Sequence, residues 1–262
     1  MLRELVLPKD VLEHFTEEVS KIISRYVVRQ KFNGVVVGVS GGLDSAVVLK
    51  LAVKSGVKVH GMIIPDDGTK KTHVDDAKKL CENLGVEYTL VNMQPIIDSI
   101  EKTACRGEAD QKSFGNVKAR TRMMLNYIQA NKTNSIVLGT GNRTEILMGY
   151  FTKYGDGGVD LQVIGSLYKS QVRQLAKHLE VPESIITRAP TAGLWPGQTD
   201  EADMGMTYSQ LDAILYLLID QDWKVGEVAS KLGVGREVVE RVKDTVERSA
   251  HKRNSPDVIR VE

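Results

Sequence analysis

The sequence contains few of the residues that build disulfide-rich or membrane-spanning proteins. Cysteine occurs twice in 262 residues, at Cys81 and Cys105, and this pair does not match the spacing of a metal site. Cys81 falls on the apolar face of a predicted helix, so we expect a reduced thiol in the core. No apolar run approaches the ~18 residues that a membrane span requires, and no signal peptide opens the chain. We therefore expect a cytoplasmic protein.

An excess of charge of one sign is also missing. The chain has 35 Lys and Arg residues against 34 Asp and Glu residues, and its formal net charge is +1. No global field therefore attracts nucleic acid or an anionic membrane surface. The 42% of hydrophobic and 26% of charged residues are typical of a globular protein, and a chain of this length buries a sizeable core without disulfides.

Short runs rich in valine and isoleucine alternate with helical patterns through the first two thirds of the chain. Strands are predicted at 34–40, 57–65, 86–93 and 135–141. Between them, apolar residues from Val74 to Leu84 recur with the period of a helix. Near-continuous apolar strands that alternate with helices indicate a parallel sheet covered on both faces. We predict an α/β fold with a doubly wound, mostly parallel sheet flanked by helices, and a helical C-terminal segment.

We interpret the chain as one domain with four parts. The predicted parts are an N-terminal helix within 1–33, an α/β core over 34–187, a lid loop over 188–206 and C-terminal helices over 207–262. Residues 188–206 are long and irregular, as functional lids often are.

The stretch GVSGGLDSAVV, residues 38–48, joins the first predicted strand to a helix. Its glycines let the backbone approach a ligand, and the helix N-terminus directs unpaired N–H groups and a positive dipole end to the same place. This combination is typical of an anion site, most often for phosphate, and Ser40 and Ser45 can donate hydroxyl groups to it. Asp44 would be repelled unless a cation lay between them, which indicates Mg²⁺. The alternative is a simple turn with an acidic residue at the helix start.

A second carboxylate, Glu145, follows the strand predicted at 135–141, and we expect it near the same sheet edge as Asp44. Two carboxylates that converge on a triphosphate are best explained by a bridging Mg²⁺. The alternative for Glu145 is a capping residue at a helix start. Lys169 begins a later helix, where a lone cation opposes the helix dipole, so it is either a solvated lysine or the partner of an anion.

SGGLDS, residues 40–45, resembles the pyrophosphate loop of the N-type ATP pyrophosphatases, which cleave ATP between the α- and β-phosphates and adenylylate a substrate. Five later stretches are similar to the ammonia-dependent NAD⁺ synthetase family: GNVKARTRM (115–123), GTGNRTE (139–145), GYFTKYGDGGVD (149–160), LYKSQVR (167–173) and PTAGLWPGQTDE (190–201). The resemblance runs in order from about Gly34 to Lys252. It implies a fold like that of the adenine nucleotide alpha hydrolases.

The resemblance also implies the site residues. The positions that match ATP-binding residues are Gly38, Val39, Ser40, Gly41, Gly42, Leu43, Asp44, Ser45, Thr140, Lys169 and Thr191. The positions that match residues binding deamido-NAD⁺ are Arg120, Lys153, Asp160, His251 and Lys252. Asp44 and Glu145 match the residues that hold Mg²⁺. Lys169 and Ser45 would act electrostatically, and no residue is expected to act as a covalent nucleophile.

Two departures from the family pattern are visible. Thr191 stands where serine is usual, which keeps the hydroxyl, and Val163 lies near a position where many members have proline, which leaves the register of Asp160 less firmly fixed.

The activity implied is ATP-dependent amidation of deamido-NAD⁺ with ammonia through an adenylylated carboxylate, giving NAD⁺, AMP and pyrophosphate. The enzyme would be a ligase that uses Mg²⁺. The alternative within this superfamily is another amidating enzyme, such as a GMP synthetase-like domain. Since the motif strand begins at Gly34, no amidase domain is expected before it, and the nitrogen source would be free ammonia or ammonia delivered by a separate protein.

Two other classes of protein fit the sequence less well. Residues 224–246 resemble a helix-turn-helix, but Glu237, Glu240 and Asp244 interrupt any basic stripe that could face DNA. A non-catalytic ATP sensor would leave Glu145, Lys169 and Lys153 without a purpose.

Apolar stripes within 8–30 and 110–130 exceed the needs of one monomer, and the family that the chain resembles is dimeric. The prediction is a homodimer in which helices near 114–130 build the interface and the substrate spans it.

Overall fold

The computed structural model describes residues 2–195 and 197–261. Its five strands are β1 (Gly34–Gly38), β2 (Lys58–Ile63), β3 (Glu87–Leu90), β4 (Ser135–Gly139) and β5 (Leu161–Gln162). The α-helices are α1 (Lys9–Arg29), α2 (Leu43–Lys54), α3 (Lys71–Asn83), α4 (Gln94–Ile100), α5 (Gln111–Thr133), α6 (Arg143–Met148), α7 (Lys169–His178), α8 (Glu183–Ile186), α9 (Asp200–Met204), α10 (Tyr208–Leu215), α11 (Val225–Leu232) and α12 (Arg236–Arg248). Two π-helices, Glu101–Cys105 and Tyr216–Asp220, extend α4 and α10.

The strands form a single five-stranded sheet in the order β3-β2-β1-β4-β5, and every pair is parallel. This confirms the predicted α/β fold. β5 is a strand that the sequence did not indicate, because its two paired residues are too few to show an alternating pattern. The chain runs outward from β1 to β3 and then returns to β4 on the other side of β1. The carboxyl ends of β1 and β4 are therefore the topological switch point, where such sheets bind ligands.

Alternate residues of β1 face opposite sides of the sheet and join different parts of the core. Val35 and Val37 pack with apolar residues of α1, α2, α3 and α7. Val36 packs on the other side with Met62, Met93 and residues of α4 and α5. Helices thus cover both faces, which explains why these strands are apolar throughout.

A separate apolar cluster holds the C-terminal helices together. It joins Leu211 and Leu215 of α10 to Val228 of α11 and Val242 of α12, and Tyr168 also belongs to it. This cluster attaches the C-terminal helices to the start of α7. Within the predicted lid, 188–206, the structure forms the short helix α9.

Cys81 is a free, buried thiol, as predicted, and burial raises its pKa to about 11. Among the described residues, no helix combines the length and the apolarity that crossing a bilayer requires.

Candidate active site

A cavity of about 850 Å³ opens beyond the carboxyl ends of β1 and β4. The predicted ATP- and metal-site residues that line it are Gly38, Val39, Ser40, Gly42, Leu43, Asp44, Ser45, Thr140, Glu145, Lys169 and Thr191. These residues come from four separate parts of the chain. The strand order brings the first two parts together, because the segments after β1 and β4 leave the sheet at the same edge.

The loop between β1 and α2 is held in shape by its own hydroxyl groups. Ser45 Oγ accepts from the backbone N–H of Ser40 at 3.2 Å and donates to the carbonyl of Gly42 at 3.0 Å. No side chain caps the N-terminus of α2. The first N–H groups of that helix are therefore available to an anion.

Two features outside this loop fix its path. Gly41 has φ +77°, and a Cβ there would lie 2.2 Å from the carbonyl oxygen of His73, so only glycine fits. Arg188 donates from Nη1 to the carbonyl of Gly41 at 2.8 Å and pairs with Asp76. Arg188 begins the predicted lid, so the lid and the loop are directly connected.

Lys169 lies between the two carboxylates at the centre of the site. Its Nζ forms an ion pair with Asp44 and another with Glu145, at 3.2 Å, and the residue is only 3% exposed. Burial raises the pKa of Glu145 to about 7, although Lys169 opposes this. Burial works against the charge of Lys169, but Asp44 and Glu145 outweigh it and raise the pKa of the amine.

Asn142 links the two carboxylates to each other. Its Nδ2 donates to Asp44 Oδ1 at 3.0 Å, and its Oδ1 accepts from the backbone N–H of Glu145 at 3.0 Å. Glu145 Oε2 in turn accepts from the backbone N–H of Asn142 at 3.2 Å. Glu145 is therefore a capping residue, which was the alternative reading of its position, and also faces Lys169 with its second oxygen. The three-residue spacing from Asn142 to Glu145 is a capping signature, so the sequence held the signal for Asn142.

The donor set fits a magnesium ion. Asp200, 3% exposed, is a third acidic group near Lys169, and burial raises its pKa although Lys169 opposes the shift. Within residues 2–195 and 197–261, no three His, Cys, Asp or Glu side chains are arranged to hold a metal by themselves. Mg²⁺ is commonly held by one or two carboxylates together with substrate phosphates and water, which is what Asp44 and Glu145 could provide.

Part of the predicted lid folds over this centre through buried hydrogen bonds. Asp200 accepts from the hydroxyls of Tyr208, at 2.9 Å, and Tyr150, at 3.2 Å. Thr191 lines the cavity, and its hydroxyl donates to the carbonyl of Gln198 at 2.8 Å. Neither Asp200 nor Tyr208 had a sequence signal, because their roles depend on how the lid packs.

Four of the five residues predicted to bind deamido-NAD⁺ lie close together. Lys153 Nζ donates to the carbonyl of His251 at 2.8 Å, and Arg120 Nε donates to the carbonyl of Lys153 at 3.4 Å. Lys252 lines the cavity, and its Nζ donates hydrogen bonds to the carbonyls of Gly149 and Phe151. Arg120, Lys153 and His251 do not line the cavity. The C-terminal residues thus fold back toward the site.

The fifth residue, Asp160, lies beside strand β4. Its Oδ2 accepts from the backbone N–H of Val137 in β4 at 2.7 Å, and it does not line the cavity. Of the two arginines in the ARTRM stretch, Arg122 lines the cavity and Arg120 is exposed. Arg122 donates to the carbonyl of Ile64 at 3.2 Å.

Comparisons with known proteins identify the family of the chain. The model of the family described as NAD synthase matches residues 15–256. A curated NH(3)-dependent NAD(+) synthetase from Pyrococcus horikoshii is 46% identical over 241 residues, which cover 90% of this chain and 93% of the relative.

Two solved structures are also similar over nearly their whole length. One is an NMN synthetase from Francisella tularensis, with a TM-score of 0.85 and 36% identity, covering 95% of this chain and 99% of that chain. The other is an NH3-dependent NAD synthetase from Campylobacter jejuni in complex with the nitrate ion, with a TM-score of 0.80, 31% identity and the same coverage. The family match and these identities show that the chain belongs to the NAD synthase family.

Proposed function

We propose that the protein is an ammonia-dependent NAD⁺ synthetase, a ligase that amidates deamido-NAD⁺ at the expense of ATP. The observation that carries this proposal is the ion-paired cluster of Asp44, Lys169 and Glu145, which lines the same cavity as the loop after β1. The curated relative from Pyrococcus horikoshii bears the same activity in its name.

The reaction begins at the nicotinate carboxylate, which is a poor acyl donor because it has no usable leaving group. An oxygen of this carboxylate attacks the α-phosphorus of ATP, the bond from that phosphorus to the β-bridging oxygen breaks, and pyrophosphate leaves with the electron pair. The product is an acyl adenylate. Negative charge grows on the leaving pyrophosphate, where the N–H groups of α2, the hydroxyls of Ser40 and Ser45 and the amine of Lys169 would stabilise it.

Ammonia then attacks the carbonyl carbon of the acyl adenylate. The bond from this carbon to the phosphate oxygen breaks, AMP leaves with its electron pair, and one proton of the attacking nitrogen passes to solvent. The products are the amide of NAD⁺ and AMP. The protein's part is to position the reactants and to exclude water, with no covalent intermediate on a side chain.

Asp44 and Glu145 would hold Mg²⁺, which supplies positive charge to the phosphates when it is bound. Lys169 occupies the space between these carboxylates in the structure. We infer that its amine exchanges carboxylate partners for phosphate oxygens when ATP binds.

A second candidate substrate is nicotinic acid mononucleotide. The Francisella tularensis chain, 36% identical, is an NMN synthetase, and the same chemistry on the mononucleotide acid would give NMN. The higher identity to the Pyrococcus NAD⁺ synthetase, 46%, favours the dinucleotide.

The test is turnover by the purified protein with ATP, Mg²⁺ and ammonium. Deamido-NAD⁺, nicotinic acid mononucleotide and xanthylate are supplied in parallel, and each component is omitted in turn. We expect NAD⁺, AMP and pyrophosphate in equal amounts only when deamido-NAD⁺ and every other component are present. If nicotinic acid mononucleotide were amidated faster than deamido-NAD⁺, the mononucleotide would be the substrate. Amidation of xanthylate would support a GMP synthetase-like activity instead.

A further inference from the structure

A second layer of polar contacts lies behind Lys169 and Glu145. The backbone N–H of Lys169 donates to Thr144 Oγ1 at 3.0 Å, and the same hydroxyl donates to Asp212 Oδ1 at 2.6 Å. Asp212 Oδ2 accepts from the backbone N–H of Ser170 at 2.8 Å. Thr144 and Asp212 are both 0% exposed. These contacts join the start of α6, the start of α7 and the middle of α10.

This layer satisfies groups that would otherwise be buried without partners. The first N–H groups of a helix have no acceptor within the helix, and those of Lys169 and Ser170 open α7. Asp212 supplies a carboxylate at the positive end of α7, where negative charge is favourable. Burial raises the pKa of Asp212, while its hydrogen bonds with Thr144 and Ser170 oppose the shift. A buried hydrogen-bond network of this kind favours one arrangement of the helices that it joins.

The network reaches two residues of the active centre, Glu145 and Lys169. Thr144 precedes Glu145 in α6, and Lys169 uses its own backbone N–H in the network while its Nζ contacts Glu145 at 3.2 Å. A shift between α6 and α7 would therefore change that distance directly.

Attachment of the C-terminal helices does not depend on Asp212 alone. Asp220, at the end of the π-helix that follows α10, pairs with Arg143 and accepts from the hydroxyl of Tyr168 at 2.9 Å. This outer contact ties together the same elements, but through side chains nearer the surface. The buried contact differs from it because it holds the backbone of Lys169 itself.

We propose that Thr144 and Asp212 are positioning residues, which hold α6 and α7 at the separation that keeps Glu145 and Lys169 in contact at the active centre. The proposal rests on the function proposed above. It also gives the C-terminal helices a part in catalysis, because Asp212 belongs to α10 and orients the start of α7, 42 residues earlier in the chain.

The first test compares two substitutions of the same hydroxyl. Thr144→Val keeps the shape of the side chain and removes the hydroxyl, whereas Thr144→Ser keeps the hydroxyl and removes a methyl group. We expect Thr144→Val to lower kcat by about 10- to 100-fold, the usual effect of losing a partner that orients a ligating group, with the KM for deamido-NAD⁺ unchanged. Thr144→Ser should retain most of the wild-type kcat, even if both variants have a lower melting temperature than the wild type. Equal losses in the two variants, or none in Thr144→Val, would overturn the proposal.

The second test compares the buried and the outer carboxylate. Asp212→Asn keeps one acceptor oxygen and replaces the other with an NH2 donor, so Thr144 and Ser170 can no longer donate to separate oxygens, and we expect it to lower kcat by about tenfold or more. Asp220→Asn should lower the melting temperature but leave kcat within about twofold of wild type, the size of an ordinary surface change. If Asp220→Asn lost as much kcat as Asp212→Asn, attachment of the helices would explain both.

Failure of the proposed function would be recognised separately, because the wild type would then show no amidation of deamido-NAD⁺. In that event calorimetric titration with ATP and Mg²⁺ replaces the kinetic readout. Thr144→Val should weaken ATP binding by about tenfold or more and Thr144→Ser should not. Equal ATP affinity in wild type and Thr144→Val would overturn the positioning role without any activity measurement.

Discussion

Asp44 has a different partner on each carboxylate oxygen, which makes it the most informative single residue of the site. Oδ1 accepts from Asn142 and Oδ2 pairs with Lys169. Asparagine at this position would keep the volume but would remove the charge that Lys169 and the proposed Mg²⁺ require.

We therefore expect Asp44→Asn to reduce Mg²⁺-dependent turnover by at least about 100-fold, as the loss of one preorganised electrostatic group does elsewhere. Steady-state kinetics measure the loss, and circular dichroism checks that the fold is intact. A turnover rate close to that of the wild type would remove Asp44 from the proposed metal site.

Arg120 is exposed on α5 and does not line the cavity of the single chain. If it contacts deamido-NAD⁺, as the family pattern suggests, Arg120→Ala should raise the KM for this substrate by about tenfold or more, the cost of one charged hydrogen bond, and leave the KM for ATP almost unchanged. Lys132→Ala removes an exposed cation from the same helix and serves as the control. Equal shifts in both KM values would contradict the assignment of Arg120.

At the scale of elements, the loop after β1 depends on the start of α3. Gly41 and Gly56 both have positive φ, +77° and +72°, but only Gly41 has a neighbour close to the position of a Cβ. His73 closes the space beside Gly41, whereas the space beside Gly56 is open for 4 Å. Alanine at either position would have the energetic cost of a positive φ, but only at Gly41 would its Cβ also collide with a neighbouring residue. Comparing the two substitutions therefore separates these two effects.

We expect Gly41→Ala to lower kcat/KM for ATP by about 100-fold, because the loop must move away from the position in which it presents N–H groups to phosphate. Gly56→Ala should cost about 1 kcal/mol of unfolding free energy, as the left-handed conformation does for a residue with a Cβ, and should leave turnover unchanged. Comparison of kinetics with denaturant unfolding tests both. Unaltered ATP kinetics in Gly41→Ala would show that this loop does not bind the nucleotide.

The whole molecule presents an apolar surface on α5. Met124 and Ile128 are 43% and 44% exposed there, although both are large and apolar. They follow Arg120 in α5 at steps of four residues and share its face of the helix, so a second chain packed on this face would also lie beside Arg120. We propose a homodimer through α5, with the substrate spanning the interface.

Light scattering should give the mass of two chains for the wild type and of one chain for Ile128→Glu, which buries a charge in the proposed interface. Ile219→Glu changes an equally apolar residue, 39% exposed at the end of the chain's second π-helix, and should remain dimeric. The monomeric variant should also lose turnover with deamido-NAD⁺. A wild type with the mass of a single chain would remove the dimer.

The sequence by itself determined the sheet and the edge at which the site lies. Apolar strands that alternate with helices specify a parallel sheet, and the carboxyl ends of its strands lie at one edge, so the positions of Asp44 and Glu145 after two such strands were enough to place both at that edge. These are local consequences of strand and helix periodicity. That β1 and β4 are neighbours was decided by the strand order. The fifth strand could not be predicted from the sequence, because Leu161–Gln162 is too short to show an apolar pattern.

Only the tertiary structure decided what surrounds these carboxylates. Lys169 contacts Asp44 across 125 residues of sequence, and Arg188 reaches Gly41 across 147. The link from Asp212 to Lys169 through Thr144 depends on how α10 packs against α6 and α7. Such contacts follow from the relative placement of whole helices, which is set by the burial of their apolar faces, and no spacing within the sequence encodes them.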